Sequence, residues 1–369
     1  MKIVLLARYL PAEGSTTHMY SIAENLIDRG HHVYILSNGP DSDPSAVKLY
    51  ETTKMKGVNF IDIPFPLKIK NTIMGKISQL LSYLYATPFA LSQLYKIKPD
   101  VIHAHYPVTT YLASIYRFFT GKKYIVTHHI MGIPKHPFNR KADYVVAISR
   151  ELRDYLMTYY SYKDEEVKLI FNGVSDKKFS HQTDNSSRED FKIPSNKVLF
   201  GFVGAVSYRK GVDVLIKAFA ECKHLHIHLV ILGNGKINWL NDMIQEYQLE
   251  TMVTAIPFRD PNNIYNLIDV LILPSRKEGF PLVPIEAMMM RKPVIRSNSE
   301  GSHDQIIEGY NGYIFESENH EQLSKLIEKI ALNPEQLEDL SKNAHTHAMT
   351  HFSEDIMVDK LLEVYNQTL

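Results

Sequence analysis

The chain has one cysteine, Cys222, in 369 residues. A lone thiol excludes an intramolecular disulfide and any metal site built on several cysteines, and it suits a reducing cytoplasm. Net charge is missing too, with 41 Lys and Arg against 41 Asp and Glu. No global field therefore draws the chain to nucleic acid. No apolar run reaches the roughly 18 residues that would cross a bilayer as a helix. The opening MKIVLLARYLP is too short an apolar run for a secretory signal and reads better as a first strand. These absences point to a cytoplasmic protein.

What is present is ordinary globular material, 44% apolar and 22% charged, long enough for two domains. Short apolar runs at 2–7, 31–36, 99–105, 124–127, 142–148 and 167–174 read as strands alternating with helices. Asn172-Gly173 is a turn, and the polar stretch 179–195 reads as a linker. A second series of strands begins at 198–203 and continues through 226–232, 252–256, 271–273 and 293–295. The expected division is a Rossmann-like domain over 1–175 and a second over 176–352, with a helix in 353–369.

The most informative stretch is 271–302, LILPSRKEGFPLVPIEAMMMRKPVIRSNSEGS. It reads as strand, loop, helix, strand, with the helix packed on its Val283, Ala287 and Met290 side. Such a loop opens at the carboxyl end of a parallel sheet, where α/β proteins bind ligands. Glu278 lies in the loop and Glu286 in the helix, with seven residues between them. The amides of Gly279, Phe280, Leu282 and Val283 sit near a helix start, which attracts an anion such as a diphosphate. Arg209 and Lys210 follow the first strand of the second half and should reach the same diphosphate. Phe258 and Arg259, after their own strand, are candidates for a base pocket.

Other clusters read differently. Asp41-Ser42-Asp43 sits between prolines in turn composition, which argues against a metal role. His103, His105, His128 and His129 lie at strand ends, but their spacing matches no helical ligand pair and no cysteine is near. A hydrogen-bonded structural role is expected for His105. Residues 64–99 hold five lysines and no acid, with Ile69, Ile73, Met74, Ile77, Leu80, Leu81, Leu84 and Tyr85 at helical spacing. That pattern suits peripheral contact with an anionic membrane, each lysine contributing about 1 kcal/mol near the surface.

The stretch 271–302 resembles the donor site of the retaining glycosyltransferases of family 4, whose signature is Glu, seven residues, Glu, with Gly-Phe-type residues after the first Glu. The resemblance implies a GT-B fold, two Rossmann-like doubly wound α/β domains facing across a cleft, with the 353–369 tail crossing back onto the first. It implies a metal-independent, retaining hexosyltransferase without cofactor, in which Glu286 binds the donor ribose and Glu278 touches the transferred sugar. His129 maps to a histidine that contacts that sugar, with His128 as the fallback, and Gly14 to one of a glycine pair near the phosphates. The implied partners are a nucleotide-sugar donor, most often a UDP-sugar, and a glycan or lipid-linked acceptor, in a bacterial surface-glycan pathway on the inner face of the membrane. The chain departs from the pattern at Ala205, where the family has arginine, and at Ser15, where it has a second glycine.

Two alternatives compete. A glycosidase would need Glu278 and Glu286 to flank one bond as acid and base. A non-catalytic homologue acting as a partner subunit is encouraged by Ala205.

Overall fold

The computed structural model describes residues 1–65, 73–105, 109–135, 138–180 and 187–369, with the side chains of 73–83 outside that description. The chain divides into two compact units, Met1–Gly173 with Glu354–Leu369, and Val174–Ser353.

The first unit is a seven-stranded parallel sheet: β1 (Lys2–Leu6), β2 (His32–Ser37), β3 (Asn59–Asp62), β4 (Val101–Ala104), β5 (Tyr124–His128), β6 (Tyr144–Ala147) and β7 (Val167–Leu169). The spatial order is β3-β2-β1-β4-β5-β6-β7. Strand order reverses between β1 and β4, where the chains of such sheets leave room for ligands. The crossovers are α1 (Gly14–Asp28), α2 (Pro44–Met55), α3 (Ile73–Ile97), α4 (Thr110–Thr120) and α5 (Arg150–Tyr159). Local signals explain the ends. Asp43 caps α2 through the Ser45 amide, with Pro44 in the first turn, and Ser149 caps α5 through the Leu152 amide. Gly121 closes α4 in the left-handed region at φ 72°.

Helix α1 begins at Gly14 itself, so Gly14 is the first helical residue. The terminal helix, α13 (Glu354–Asn366), packs against α1. Met357, Val358, Leu361 and Tyr365 join a core with Ile3, Leu5 and Met19. Each such side chain removed from water contributes roughly 1.5–3 kcal/mol before entropy is counted. Asn25 donates to Asp355 at 2.9 Å and Arg29 pairs with Asp355 at 3.1 Å.

The second unit repeats the plan with six parallel strands: β8 (Val198–Val203), β9 (Ile227–Leu232), β10 (Val253–Ile256), β11 (Val270–Leu273), β12 (Val294–Ser297) and β13 (Gly312–Phe315). The order is β10-β9-β8-β11-β12-β13. Helices α6 (Val212–Glu221), α7 (Ile237–Glu246), α8 (Asn262–Leu267), α9 (Leu282–Met289), α10 (Ser302–Gln305), α11 (His320–Leu332) and α12 (Gln336–His351) connect or follow them. The reversal here falls between β8 and β11, so the loops after those two strands emerge side by side at the carboxyl edge. One expectation about packing is corrected. Helix α9 turns Pro284, Ile285, Ala287, Met288 and Met289 inward, while Val283 is only half-buried. Helix α12 covers α9, and His345 Nδ1 lies 2.8 Å from the Met289 carbonyl, so burial reaches around more of α9 than a one-sided helix would show.

Among the described residues no helix is long and apolar enough to cross a membrane.

Candidate active site

The site grows from two loops that nearly touch. Gly211 closes the β8 loop at φ +69°, and a Cβ built there would lie 1.9 Å from the Pro274 carbonyl oxygen. Only glycine tolerates both that φ and that approach. The Ser207 hydroxyl accepts the Lys210 amide at 3.4 Å, starting a 3-10 turn over Tyr208–Lys210. The turn delivers Lys210 to Glu278, with Nζ 2.6 Å from Oε1. Both side chains are largely withdrawn from solvent, at 14% and 8% exposure. Burial opposes charge on Glu278, yet the Lys210 ammonium and the Arg209 guanidinium outweigh it and hold its carboxyl below the usual carboxylate range. Arg209 lies 3.9 Å from Glu278, donates to the Lys277 carbonyl at 3.2 Å and remains more than half exposed.

One residue in the loop was not singled out in the sequence. Arg276 makes a two-pronged contact with Asp213, 2.7 Å on each side, and donates to Glu318 at 2.9 Å. Its guanidinium stacks 3.6 Å above the Tyr208 ring, and its amide donates to the Arg209 carbonyl at 2.9 Å. Arg276 therefore ties the loop carrying Glu278 to the turn carrying Lys210. The sequence did hold a signal. Asp213 stands between valines at the start of an apolar helix, and a buried carboxylate needs a cation.

Glu286 projects from α9 toward α8, where the Tyr265 hydroxyl donates to its Oε2 at 2.7 Å. Burial pushes the Glu286 carboxyl above the usual range, and Tyr265 and Lys178 offset this only in part, while Asp260 adds to it. Tyr265 was also missed. An aromatic inside a short amphipathic helix carries no sequence mark of its hydroxyl's partner.

The amides of Leu282 and Val283 lie in the first turn of α9, where the helix supplies no acceptor. The entry to that turn is held by Gln305, which donates to the Pro281 carbonyl at 2.8 Å, and by Gly301, whose Cβ would lie 2.8 Å from the Phe280 ring. Gly279 and Phe280 thus fall between the Lys210–Glu278 pair and the helix start. Arg296, fully buried, bonds Gln305 and the Ser299 hydroxyl.

Phe258 and Arg259 follow β10 on an exposed loop. The Phe258 amide donates to Asn234 Oδ1 at 3.0 Å, and the residue is 49% exposed. The Arg259 guanidinium stacks on Phe191 at 5.4 Å. Their loop continues into Asp260, which acts electrostatically on Glu286.

The remaining two sequence candidates belong to the first unit. Gly14 has open space around the position of a Cβ, so nothing in the protein itself demands glycine there. His129 follows β5 and joins a group of rings: His18 at 5.3 Å and His105 at 5.8 Å, with His103 4.4 Å from His105. Burial lowers the pKa of His129 to about 4 and that of His103 and His128 to about 3, so the rings are neutral at pH 7. His103 is hydrogen-bonded, contacting Tyr365 at 2.8 Å and Thr127 at 2.7 Å. His105, expected to be the bonded one, has no partner for either ring nitrogen among the described residues. His103 and His105, two residues apart, point to the same side of the strand, so the strand period does not tell which of them meets the hydroxyls of Tyr365 and Thr127.

Among the described residues no group of three or more His, Cys, Asp or Glu is arranged to hold a metal ion. Asp41 accepts the Ser42 amide and Asp43 the Ser45 amide, each at 2.7 Å, so both serve the local turn.

Two family models match the chain. Residues 183–347 match the glycosyl transferases group 1, and residues 12–178 match glycosyltransferase family 4. A capsular polysaccharide biosynthesis glycosyltransferase of Staphylococcus aureus, CapM, is 24% identical over 388 aligned positions, covering 95% of this chain and 97% of the relative. An O-antigen biosynthesis glycosyltransferase of Escherichia coli, WclY, is 29% identical over 230 positions, covering 61% of each. Anabaena HepE, solved in complex with UDP, superposes with a TM-score of 0.84 at 19% identity over the full length of both chains. That likeness establishes the GT-B fold.

Proposed function

Because the chain belongs to the group 1 and family 4 glycosyltransferases, we propose that it moves a sugar from a nucleotide-sugar donor, UDP-linked, to a hydroxyl of a glycan or lipid-linked acceptor, with retention and without a metal. The observation that carries this reading is the buried Lys210–Glu278 pair, 2.6 Å apart, beside the first turn of α9 with Glu286 farther along the same helix. A diphosphate leaving group gains charge as its bond to the sugar breaks. Lys210, Arg209 and the Leu282 and Val283 amides are the cationic and dipolar groups available to meet that charge, a role a metal would otherwise fill. Glu278, held ionised, accepts hydrogen bonds from sugar hydroxyls. Glu286, with Oε2 already fixed by Tyr265, accepts from the ribose hydroxyls. Phe258 and Arg259 border the base. Gly14 admits the donor phosphates, and neutral His129 contacts the transferred sugar as a hydrogen-bonding group, not as a cation.

The names of the relatives support a surface polysaccharide as the product class, and HepE supports UDP as the nucleotide. A thermal-shift screen of nucleotide sugars, followed by detection of released nucleoside diphosphate, tests the reading, since a ligand that binds only the folded state raises Tm. Stabilisation by one donor, product release and an unchanged anomeric configuration by proton NMR are the expected results. Free sugar without nucleoside diphosphate would mark a glycosidase.

Ala205, standing where the family has arginine, favours a second reading as a non-catalytic partner subunit. Arg209 is the cation available to replace that arginine. If Glu278→Ala left cellular glycan intact while deletion of the whole chain altered it, the partner-subunit reading would hold. Membrane contact through 64–99 stays part of the proposal, although residues 66–72 and the side chains of 73–83 lie outside the described residues.

A further inference from the structure

Helix α4 ends in two adjacent phenylalanines that the fold does not use. The buried residues of this helix are Thr110, Tyr111, Leu112, Ala113 and Tyr116. Phe118 and Phe119 are 83% and 66% exposed. They meet each other edge to face, ring centres 5.2 Å apart. Scattered apolar residues are normal on a surface, but two neighbouring phenylalanines standing this far into water form a patch that invites a partner.

The surroundings state what kind of partner. Half-buried Lys122 and exposed Lys123, whose Nζ donates to the Gln367 carbonyl at 3.4 Å, follow directly, and exposed Lys96 and Lys98 lie in the last turn of α3 and just past its end. Tyr95, itself 45% exposed, brings the two helix ends together by its 5.3 Å contact with Tyr116. Acidic residues are nearly missing. Between Asp62 and Asp143 the sequence has only Asp100. Asp100 is engaged by the Lys2 amide at 2.7 Å, and Asp143 by Arg117 at 2.8 Å. A second copy of the chain fits poorly, because a twofold contact through this tip would set a lysine-rich patch against another lysine-rich patch. Protruding rings on a helix end with lysines next in sequence and at the end of the adjoining helix fit a bilayer surface, where aromatics settle at headgroup level and lysines reach phosphates.

We propose that the tip of α4, Phe118 and Phe119, together with Lys96, Lys98, Lys122 and Lys123, docks on an anionic lipid surface. This contact extends the 64–99 reading and shares Lys96 and Lys98 with it, but its aromatic anchor, Phe118 and Phe119, lies on a different helix. It is also independent of sugar transfer, since it is read without any nucleotide sugar.

The test is co-flotation of the full chain with phosphatidylcholine vesicles, with and without phosphatidylglycerol. The expected result is salt-sensitive binding to the phosphatidylglycerol vesicles only. Phe118→Ser with Phe119→Ser, and separately Lys122→Glu with Lys123→Glu, should each weaken binding by about tenfold or more with unchanged melting. The indole introduced by Phe119→Trp should be quenched by brominated lipid beyond the baseline of the native Trp239. Equal flotation of wild type and both variants, or no quenching, would overturn the proposal. So would a wild-type dimer that the phenylalanine variants convert to monomer without any vesicle binding.

Discussion

Lys210 Nζ and Glu278 Oε1 stand 2.6 Å apart, each supplied by a different loop at the carboxyl edge of the second sheet. The reversal of strand order between β8 and β11 is what brings those loops together. The pair is shielded from water, so its two charges depend on each other.

Removing one partner should cost more than removing both. Lys210→Met leaves a buried carboxylate uncompensated, a change worth roughly 3–5 kcal/mol in such settings. The double variant Lys210→Met with Glu278→Leu should be clearly more stable than Lys210→Met alone. Urea denaturation of the three proteins measures this. Equal midpoints for the single and double variants would show that the charges are not coupled.

Donor affinity should depend on Glu286 ionisation. Its pKa is raised by burial, so the folded protein takes up a proton there at higher pH than an ordinary carboxylate would. A protonated Glu286 keeps fewer acceptors for ribose hydroxyls. Affinity for UDP should therefore fall as pH drops toward the raised pKa and recover above it. Glu286→Gln should weaken binding and flatten the dependence, as titration calorimetry across pH would report.

Arg276 should act through the residues it holds, not by contact with donor. Arg276→Met releases Asp213 and the Tyr208 ring and loosens the Lys210 turn. The expected result is about a tenfold rise in the donor KM or more, from the loss of charge-assisted bonds worth 1.5–3 kcal/mol. Arg276→Lys, keeping the charge but not the two-pronged contact, should restore only part. Full recovery with lysine would show that charge alone matters.

The histidines of the first unit should make it acid-sensitive. Burial lowers His103 and His128 to about 3 and His129 to about 4, while the unfolded chain protonates near 6.5. The unfolded state thus binds more protons throughout the window from pH 6.5 down to 4. Stability is complete above 6.5 and declines as pH falls, by about 1.4 kcal/mol per pH unit for each histidine well inside the window. His103→Gln should shallow that decline in melts run from pH 7 to 4.5.

The fold was legible because strand, loop and helix follow one another with clear turn residues in both halves. Strand β8 matches its expected span residue for residue. The Glu278–Glu286 spacing was legible because it is local, on one loop and one helix. Arg276 and Tyr265 were not, because their partners Asp213 and Glu286 lie 63 and 21 residues away and only folding selects them. His105 was misjudged for the same reason: Tyr365, which bonds the neighbouring His103, comes from the far end of the chain.

The most direct test is a crystal structure with the nucleotide sugar that stabilises the protein most. The ribose hydroxyls should lie within hydrogen-bond distance of Glu286 and the sugar against Glu278. The diphosphate should lie between Lys210 and the Leu282 and Val283 amides. A donor seated away from α9, with the Lys210–Glu278 pair untouched, would contradict the account.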